Sequence, residues 1–369
     1  MSLKIKNWIS GLPEYVAGRT LEEIKKEYGI AEVYKMASNE NLYGLPPGLA
    51  ERISEDIGDI YYYPDSSCLE IKEKLSRFYG IGQDKIVVGC GSDQIIEMIC
   101  DSFTGPGDNI VTSDPTFPIY EKSALKCGGE SRKVPLKGFR QDTGRLLEAV
   151  DENTKVLFLT NPHNPTGTNI TRDELDTVLD RLDRSILLVI DEAYFEYCPR
   201  EDRLETTDFL AGRDNLMLLR TFSKIYGLAG LRIGYGLGSG EAVDAINKVR
   251  LPFNVNSMAQ KAAVYALDYA GHAEEICEKV NRQKQVYYNA LDENNIEYVR
   301  SYANFLLIST GKREMEIVEE LLRNGFIVRP GTNLGFPGYI RVTIATDEVN
   351  KRFLDVFTGI YRDIYKQGR

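Results

Sequence analysis

Four short segments carry side chains whose types and spacing suit chemistry as well as packing. The densest runs from Arg220 to Tyr235, where Lys224 stands among the hydroxyls of Thr221 and Ser223 and several glycines, with Arg232 following. A lone lysine after a strand is usually a solvated surface residue. One held among apolar groups beside another cation loses its proton more readily and becomes a nucleophile toward a carbonyl. Ser223 and Arg232 can supply neutral and charge-assisted hydrogen bonds to a phosphate. A second segment, Asp191-Glu192-Ala193-Tyr194, follows the apolar run 186–190. A carboxylate at the end of a buried strand is costly unless it meets a cation or hydrogen-bond donors. A pyridinium nitrogen would serve, and Tyr194 could reach a phenolic oxygen on the same ring. Strand-end aspartates also cap loops or bind Mg²⁺, so both readings stand.

The third segment is Gly89-Cys90-Gly91-Ser92-Asp93-Gln94, between a strand and a helix. Free N–H groups at a helix start favour a phosphate, and glycines let the backbone approach it. A glycine turn capped by Ser92 or Asp93 fits equally well. Gln94 stands where a dinucleotide fingerprint wants glycine, which weakens a dehydrogenase reading. In the fourth segment, Asn161-Pro162-His163-Asn164-Pro165-Thr166-Gly167, two prolines and a glycine set an unusual backbone around Asn164, whose amide both donates and accepts. A rigid turn without a ligand is the plainer reading, and His163 belongs to that turn rather than to acid–base chemistry.

These segments need a scaffold that brings them together. Between about residues 85 and 249, apolar runs at 86–88, 109–111, 155–159, 186–190 and 216–219 alternate with helical spacing at 94–103, 117–126 and 171–182. Thr171 and Glu174 open the last of these as a capping box. Such alternation implies a mostly parallel sheet covered by helices on both faces, with ligands at the strand ends. After Pro252 the texture changes. A long helical stretch over 256–294, broken near Gly271, is followed by strand patterns at 302–308, 326–328 and 339–344, a helix at 313–324 and a helix from Asp347. The expected organisation is an α/β protein with three parts: an N-terminal arm and part of the small domain (1–40), a large domain (41–252) and a smaller α+β domain (253–369).

Composition narrows the function classes. Lys and Arg total 45 against 55 for Asp and Glu, a net charge of -10, which argues against nucleic acid or an anionic membrane as partner. No apolar run reaches the length of a membrane span, and residues 1–10 lack the apolar core of a signal peptide. Six cysteines lie far apart without a Cys-x-x-Cys pair, so reduced thiols and a cytoplasmic location are expected. With two histidines and no ligand spacing, no metal site is expected.

Taken in order, Gly-x-Gly-Ser-Asp (89–93), Asn-Pro-His-Asn-Pro-Thr-Gly (161–167), Asp-Glu-Ala-Tyr (191–194) and Ser-Lys-x-x-Gly-Leu-Ala-Gly-Leu-Arg (223–232) resemble the fold-type I pyridoxal-phosphate aminotransferases. More narrowly they resemble the histidinol-phosphate aminotransferases, with added likeness at residues 12–15, 37–41, 63–65, 115–117, 304–305, 328–330 and 340–343. The likeness runs from about Tyr15 to Asp347. It implies a large domain with a seven-stranded, mostly parallel sheet sandwiched by helices, and a homodimer with shared active sites.

At the matching positions it implies pyridoxal 5′-phosphate in a Schiff base with Lys224, which also shuttles the proton. It places Asp191 on the ring nitrogen, Asn164 and Tyr194 on the ring oxygen, and Phe117 stacked on the ring. Gly91, Ser92, Asp93, Thr221, Ser223 and Arg232 would hold the phosphate, with Tyr63 reaching it from the other subunit. Arg341 would bind the substrate anion, Arg329 would assist, and Tyr15, Asn39 and Tyr43 would line the substrate side; an ordinary salt bridge is the plainer reading of Arg341. The expected reaction moves an amino group between glutamate and imidazole-acetol phosphate. Aromatic amino-acid transamination and threonine-phosphate decarboxylation are the rival chemistries, and a sensor half of a transcription regulator the non-enzymatic one. Departures from the family pattern are Phe117 in place of tyrosine, Ser66 after Tyr-Pro-Asp, the absence of a proline after Tyr15, and Gln94 in place of an acidic residue.

Overall fold

The computed structural model describes residues 3–12 and 21–366. Its largest sheet has seven strands in the spatial order Ile86–Gly89, Gly234–Gly238, Leu216–Thr221, Leu187–Asp191, Thr154–Thr160, Asn109–Asp114 and Glu130–Pro135. Every neighbouring pair is parallel except those of Gly234–Gly238, which runs antiparallel to both flanking strands. Burial on both faces explains the unbroken apolar runs. Leu187, Val189, Met217 and Leu219 pack into one core cluster with Ile95 and Ile99 of the helix Gly91–Phe103. Leu188, Ile190, Leu216 and Leu218 face the other cluster, with Ala259 and Ala263 of the helix Ser257–Ala266.

Two strands of this sheet escaped the sequence pattern for physical reasons. Glu130–Pro135 is an edge strand whose only buried residue is Val134, so it shows no apolar run. Gly234–Gly238 is fully buried but glycine-rich. A Cβ at Gly236 would lie 2.9 Å from Val87 and 3.0 Å from Met217, so close packing excludes the bulky residues that signal a strand. The capping box is present: Glu174 N–H donates to Thr171 Oγ1 at 3.2 Å, and Thr171 N–H to Glu174 Oε2 at 2.6 Å. The long helical stretch breaks, as expected, near Gly271: a 3-10 turn at Leu267–Tyr269 precedes the helix Ala270–Glu293, whose first turn holds Gly271.

A four-stranded antiparallel sheet follows in the order Arg329–Pro330, Tyr339–Thr343, Phe305–Ser309 and Tyr298–Val299. The chain's early part is tied to this region. Tyr34–Lys35 pairs in parallel with Phe326–Ile327, and Thr343 N–H donates to Met36 C=O at 2.9 Å. Residues 37–41 are thereby carried between the two sheets, where Lys224 and Tyr194 meet them.

Candidate active site

Three neighbouring parallel strands end at one place. Thr160 and Asp191 are paired in register, and Thr221 closes the next strand. Around these ends lies a cavity of about 140 Å³, lined by Ser92, Asp93, Phe117, Asn164, Asp191, Tyr194, Thr221, Ser223, Lys224 and Arg232, with Thr160 and Ala193 completing the wall. A larger cleft of about 1010 Å³ opens around Phe195 and Arg220. It holds arginines and glutamates but no lysine amine, so chemistry rather than size selects the smaller one.

At one end the helix Gly91–Phe103 starts without a side-chain cap, which leaves its first N–H groups able to receive an anion. Gly91 has a φ of +80°, and a Cβ there would fall 2.6 Å from Arg232 and 2.3 Å from Asp93. Arg232 itself holds a left-handed φ of 58°, an uncommon conformation for a side-chain-bearing residue. It is fixed by hydrogen bonds to Asp93 at 3.0 and 3.1 Å, to Ser223 Oγ at 3.3 Å and to Ala229 C=O at 3.2 Å. Ser223 N–H donates to Thr221 Oγ1 at 3.0 Å, so a short turn sets both hydroxyls.

In the middle, Asp191 is almost fully buried, at 3% exposure. Its Oδ2 accepts from Tyr120 O–H at 2.6 Å and its Oδ1 from Ala193 N–H at 3.0 Å. Burial raises its pKa, against the lowering effect of those two bonds. Among the described residues no cation lies within ion-pair distance of it. Lys224 Nζ donates to Ser38 C=O at 3.1 Å and sits 5.4 Å above the Tyr194 ring. Tyr194 O–H accepts from Asn39 Nδ2 at 2.9 Å, and Asn39 in turn is pinned by Thr343 through its Oδ1 and N–H. Asn39 therefore meets the site through Tyr194.

At the far end Arg341, 7% exposed, donates to Asn164 Oδ1 at 2.6 Å and to Ala37 C=O at 2.9 Å. Its Nε has no partner, and no carboxylate pairs with it among the described residues. Burial lowers its pKa to about 10, with Arg329 adding to the effect. Arg329 lies directly across the antiparallel ladder from it. An ordinary salt bridge is thus not what Arg341 makes here.

The remaining expected residues lie further out. Tyr63 is 83% exposed and stacks on Phe253 at 4.7 Å, away from the cavity. Tyr43 approaches Asp347 at 3.5 Å, and Tyr15 lies outside the described residues. His163 is fully buried against Thr166 at 2.8 Å and Ser113 at 3.3 Å. Burial lowers its pKa to about 3, which fits a turn residue and leaves it unsuited to acid–base work near neutrality.

The family model described as aminotransferase class I and II matches residues 31–357. The chain belongs to the class I and II aminotransferases. A histidinol-phosphate aminotransferase of Geobacillus sp. (strain WCH70) is 40% identical over 361 residues, spanning 98% of this chain and 99% of that one. Histidinol-phosphate aminotransferase 2 of Carboxydothermus hydrogenoformans is 41% identical over 352 residues, 95% of this chain and 97% of its own length. Among solved structures, histidinol-phosphate aminotransferase from Sinorhizobium meliloti in complex with pyridoxal-5′-phosphate is similar with a TM-score of 0.89 at 28% identity, over 98% of both chains.

Sequence reasoning missed several groups of this aminotransferase. Tyr120 and Thr160 meet Asp191 or its partner, yet they lie 71 and 31 residues before it, and a tyrosine in an amphipathic helix reads as core. The buried pair of Arg220 Nε and Glu192 Oε2, 2.9 Å apart, backs the site from the opposite face of the sheet. Opposite charges at adjacent strand ends were the available signal.

Proposed function

We propose that the chain is a histidinol-phosphate aminotransferase that uses pyridoxal 5′-phosphate and moves an amino group between glutamate or 2-oxoglutarate and imidazole-acetol phosphate or histidinol phosphate. The observation that carries the substrate part is Arg341: buried, paired with no carboxylate among the described residues, bonded to a cavity residue and facing Arg329 across the ladder. A guanidinium so placed suits an incoming carboxylate or phosphate.

The residues present fit the cofactor. The uncapped helix start, the side-chain-free Gly91, the Thr221 and Ser223 hydroxyls and Arg232 suit a phosphate. Ser92 and Asp93 lie in the first turn of that helix. Asp191, buried without a cation, suits a ring N–H. Phe117 offers a flat face, and Asn164 and Tyr194 offer polar atoms to a ring oxygen. Bound there, pyridoxal phosphate supplies an electron-accepting ring that stabilises negative charge at the substrate Cα. Lys224 Nζ is the amine that would hold it. It is also the only amine among the cavity-lining residues, and so the group available to carry a proton to and from that carbon. Arg341 and Arg329 would orient the substrate by its anion, with Asn39 and Tyr43, and the expected Tyr15 outside the described residues, lining that side.

A homodimer completes this reading. Ile57, Ile60, Tyr61, Tyr62, Tyr63 and Leu251 are 59%, 60%, 72%, 64%, 83% and 70% exposed, a concentration of apolar side chains that a second copy would cover. Tyr63 would then reach the neighbour's phosphate. A cytoplasmic location agrees with six free cysteines. Among the described residues no helix is long and apolar enough to cross a membrane.

The test is a half-reaction panel in which each candidate amino donor is mixed with holoenzyme and loss of the visible cofactor band is followed. Histidinol phosphate and glutamate should give the highest specificity constants. Aromatic amino acids surpassing histidinol phosphate by about tenfold, roughly 1.4 kcal/mol, would move the assignment to an aromatic aminotransferase. CO₂ release from threonine phosphate without amination of the cofactor would move it to a decarboxylase.

A further inference from the structure

Tyr120 lies on the helix Ile119–Lys126, wholly buried. Its ring stacks on Phe158 at 4.6 Å and 14°, and meets Phe117 edge-on at 5.7 Å and 79°. The phenol is thus held between the aromatic that walls the cavity and the carboxylate at its floor. Its O–H lies 2.6 Å from Asp191 Oδ2 and 3.1 Å from Thr160 Oγ1. Thr160 Oγ1 in turn lies 3.4 Å from Thr116 Oγ1, and both backbone groups of Thr160 are clamped by the Gln141 amide at 3.1 and 2.7 Å.

An ionised carboxylate only accepts hydrogen bonds. With Asp191 ionised, Tyr120 must donate to it, Thr160 must donate to the phenol oxygen, and Thr116 to Thr160. The polarity of the whole hydroxyl chain is set by the charge at its end, and each donation polarises the next.

We propose that Tyr120 is a positioning residue for the cofactor ring: its hydroxyl, backed by Thr160, keeps Asp191 ionised and aimed, and so sets how strongly this aminotransferase holds a ring that carries a protonated nitrogen. Desolvation opposes the charge on Asp191, and the Tyr120 bond is the leading influence that opposes desolvation. The phenol stays protonated as donor because burial and the neighbouring carboxylate push its pKa well above the usual value. The inference rests on the pyridoxal-phosphate reading given above.

The test compares apoprotein of wild type, Tyr120→Phe and Thr160→Val by equilibrium titration with pyridoxal phosphate and with its 1-deaza analogue, which has carbon in place of the ring nitrogen. The wild-type preference for pyridoxal phosphate over the analogue measures the Asp191 contact alone. Tyr120→Phe should shrink that preference about tenfold or more, as loss of a hydrogen bond to a charged group does. Thr160→Val should shrink it by a smaller factor, about threefold. In Tyr120→Phe the preference should also disappear at a higher pH as the solution is acidified, because the carboxylate protonates sooner. Equal weakening of both ligands would mean that Tyr120 only packs, and would overturn the proposal, as would an unchanged preference. Failure of wild type to bind pyridoxal phosphate at all would instead strike the cofactor reading.

Discussion

Replacing Arg341 by methionine separates what this residue does for the fold from what it does for substrate. The guanidinium is 7% exposed, and its pKa falls from the ordinary arginine range to about 10, chiefly through burial. A depressed pKa on a cation means that the folded state disfavours the charged form at every pH below about 10. The penalty is relieved only as pH rises from there toward the ordinary range of a guanidinium. The difference corresponds to roughly 3 kcal/mol against folding at neutral pH. Methionine removes that penalty but strips Asn164 Oδ1 and Ala37 C=O of their donors, at about 1–3 kcal/mol each. The two effects oppose, and the variant should unfold within about 3 kcal/mol of wild type in a urea titration. Catalysis has no such compensation. Two charge-assisted bonds to a substrate anion are worth about 3–6 kcal/mol together, so kcat/KM for glutamate and for histidinol phosphate should drop by about two to four powers of ten. A variant that folds normally and turns over both substrates at the wild-type rate would refute the anion-receptor reasoning. One that loses more than about 4 kcal/mol of stability would refute the opposition of terms.

Lys224→Ala should bind the cofactor without its covalent visible band and lose turnover by orders of magnitude; borohydride trapping that maps the adduct to another lysine in wild type would remove the basis of the reading. Glu192→Gln leaves the Arg220 cation, whose side chain is 4% exposed, without its carboxylate. Denaturant unfolding should then show a loss of about 3–5 kcal/mol, and a loss under 1 kcal/mol would count against it. His163 has its pKa lowered to about 3. Between pH 6.5 and 3 the unfolded chain therefore takes up a proton that the folded one refuses, so stability from this group is present above pH 6.5 and falls by about 1.4 kcal/mol per pH unit as pH drops. In His163→Gln the acid limb of the stability profile should be flatter, and an unchanged slope would show that the ring is not the source.

The parts of the fold legible from residues alone were those in which one physical demand shapes a contiguous stretch. Burial on both faces writes itself into 155–159 and 186–190 as apolar runs, and the capping box at Thr171 needs only residues three apart. Gly234–Gly238 was hidden because its neighbours Met217 and Val87 occupy the room its side chains would need. The polar edge strand Glu130–Pro135 was hidden because little of it is buried. For the site, the four motifs each supply an end of a strand or the start of a helix, so their residues meet once the sheet forms. Tyr120 could not be read this way. Its meaning comes from Asp191, and only the crossing of a helix over a strand end brings the two within 2.6 Å.

Why Asp191 can serve a ring cation follows from the alternation of a strand. Asp191 and Glu192 are consecutive, and so are Arg220 and Thr221 on the neighbouring strand. Asp191 and Thr221 continue the face of Leu187, Val189, Met217 and Leu219, toward Tyr120. Glu192 and Arg220 continue the face of Leu188, Ile190, Leu216 and Leu218, and there they neutralise each other at 2.9 Å. The guanidinium that these strands themselves carry, that of Arg220, is thus consumed on the far side of the sheet. Asp191 is left with neutral donors, a phenol and an amide, which support its charge without cancelling it. Slipping the strand Leu216–Thr221 by one residue would exchange Arg220 for Thr221 on the cavity face. The guanidinium would then satisfy Asp191, and the carboxylate would no longer call for a protonated ring. The electrostatic demand of the site is therefore a property of register as much as of composition.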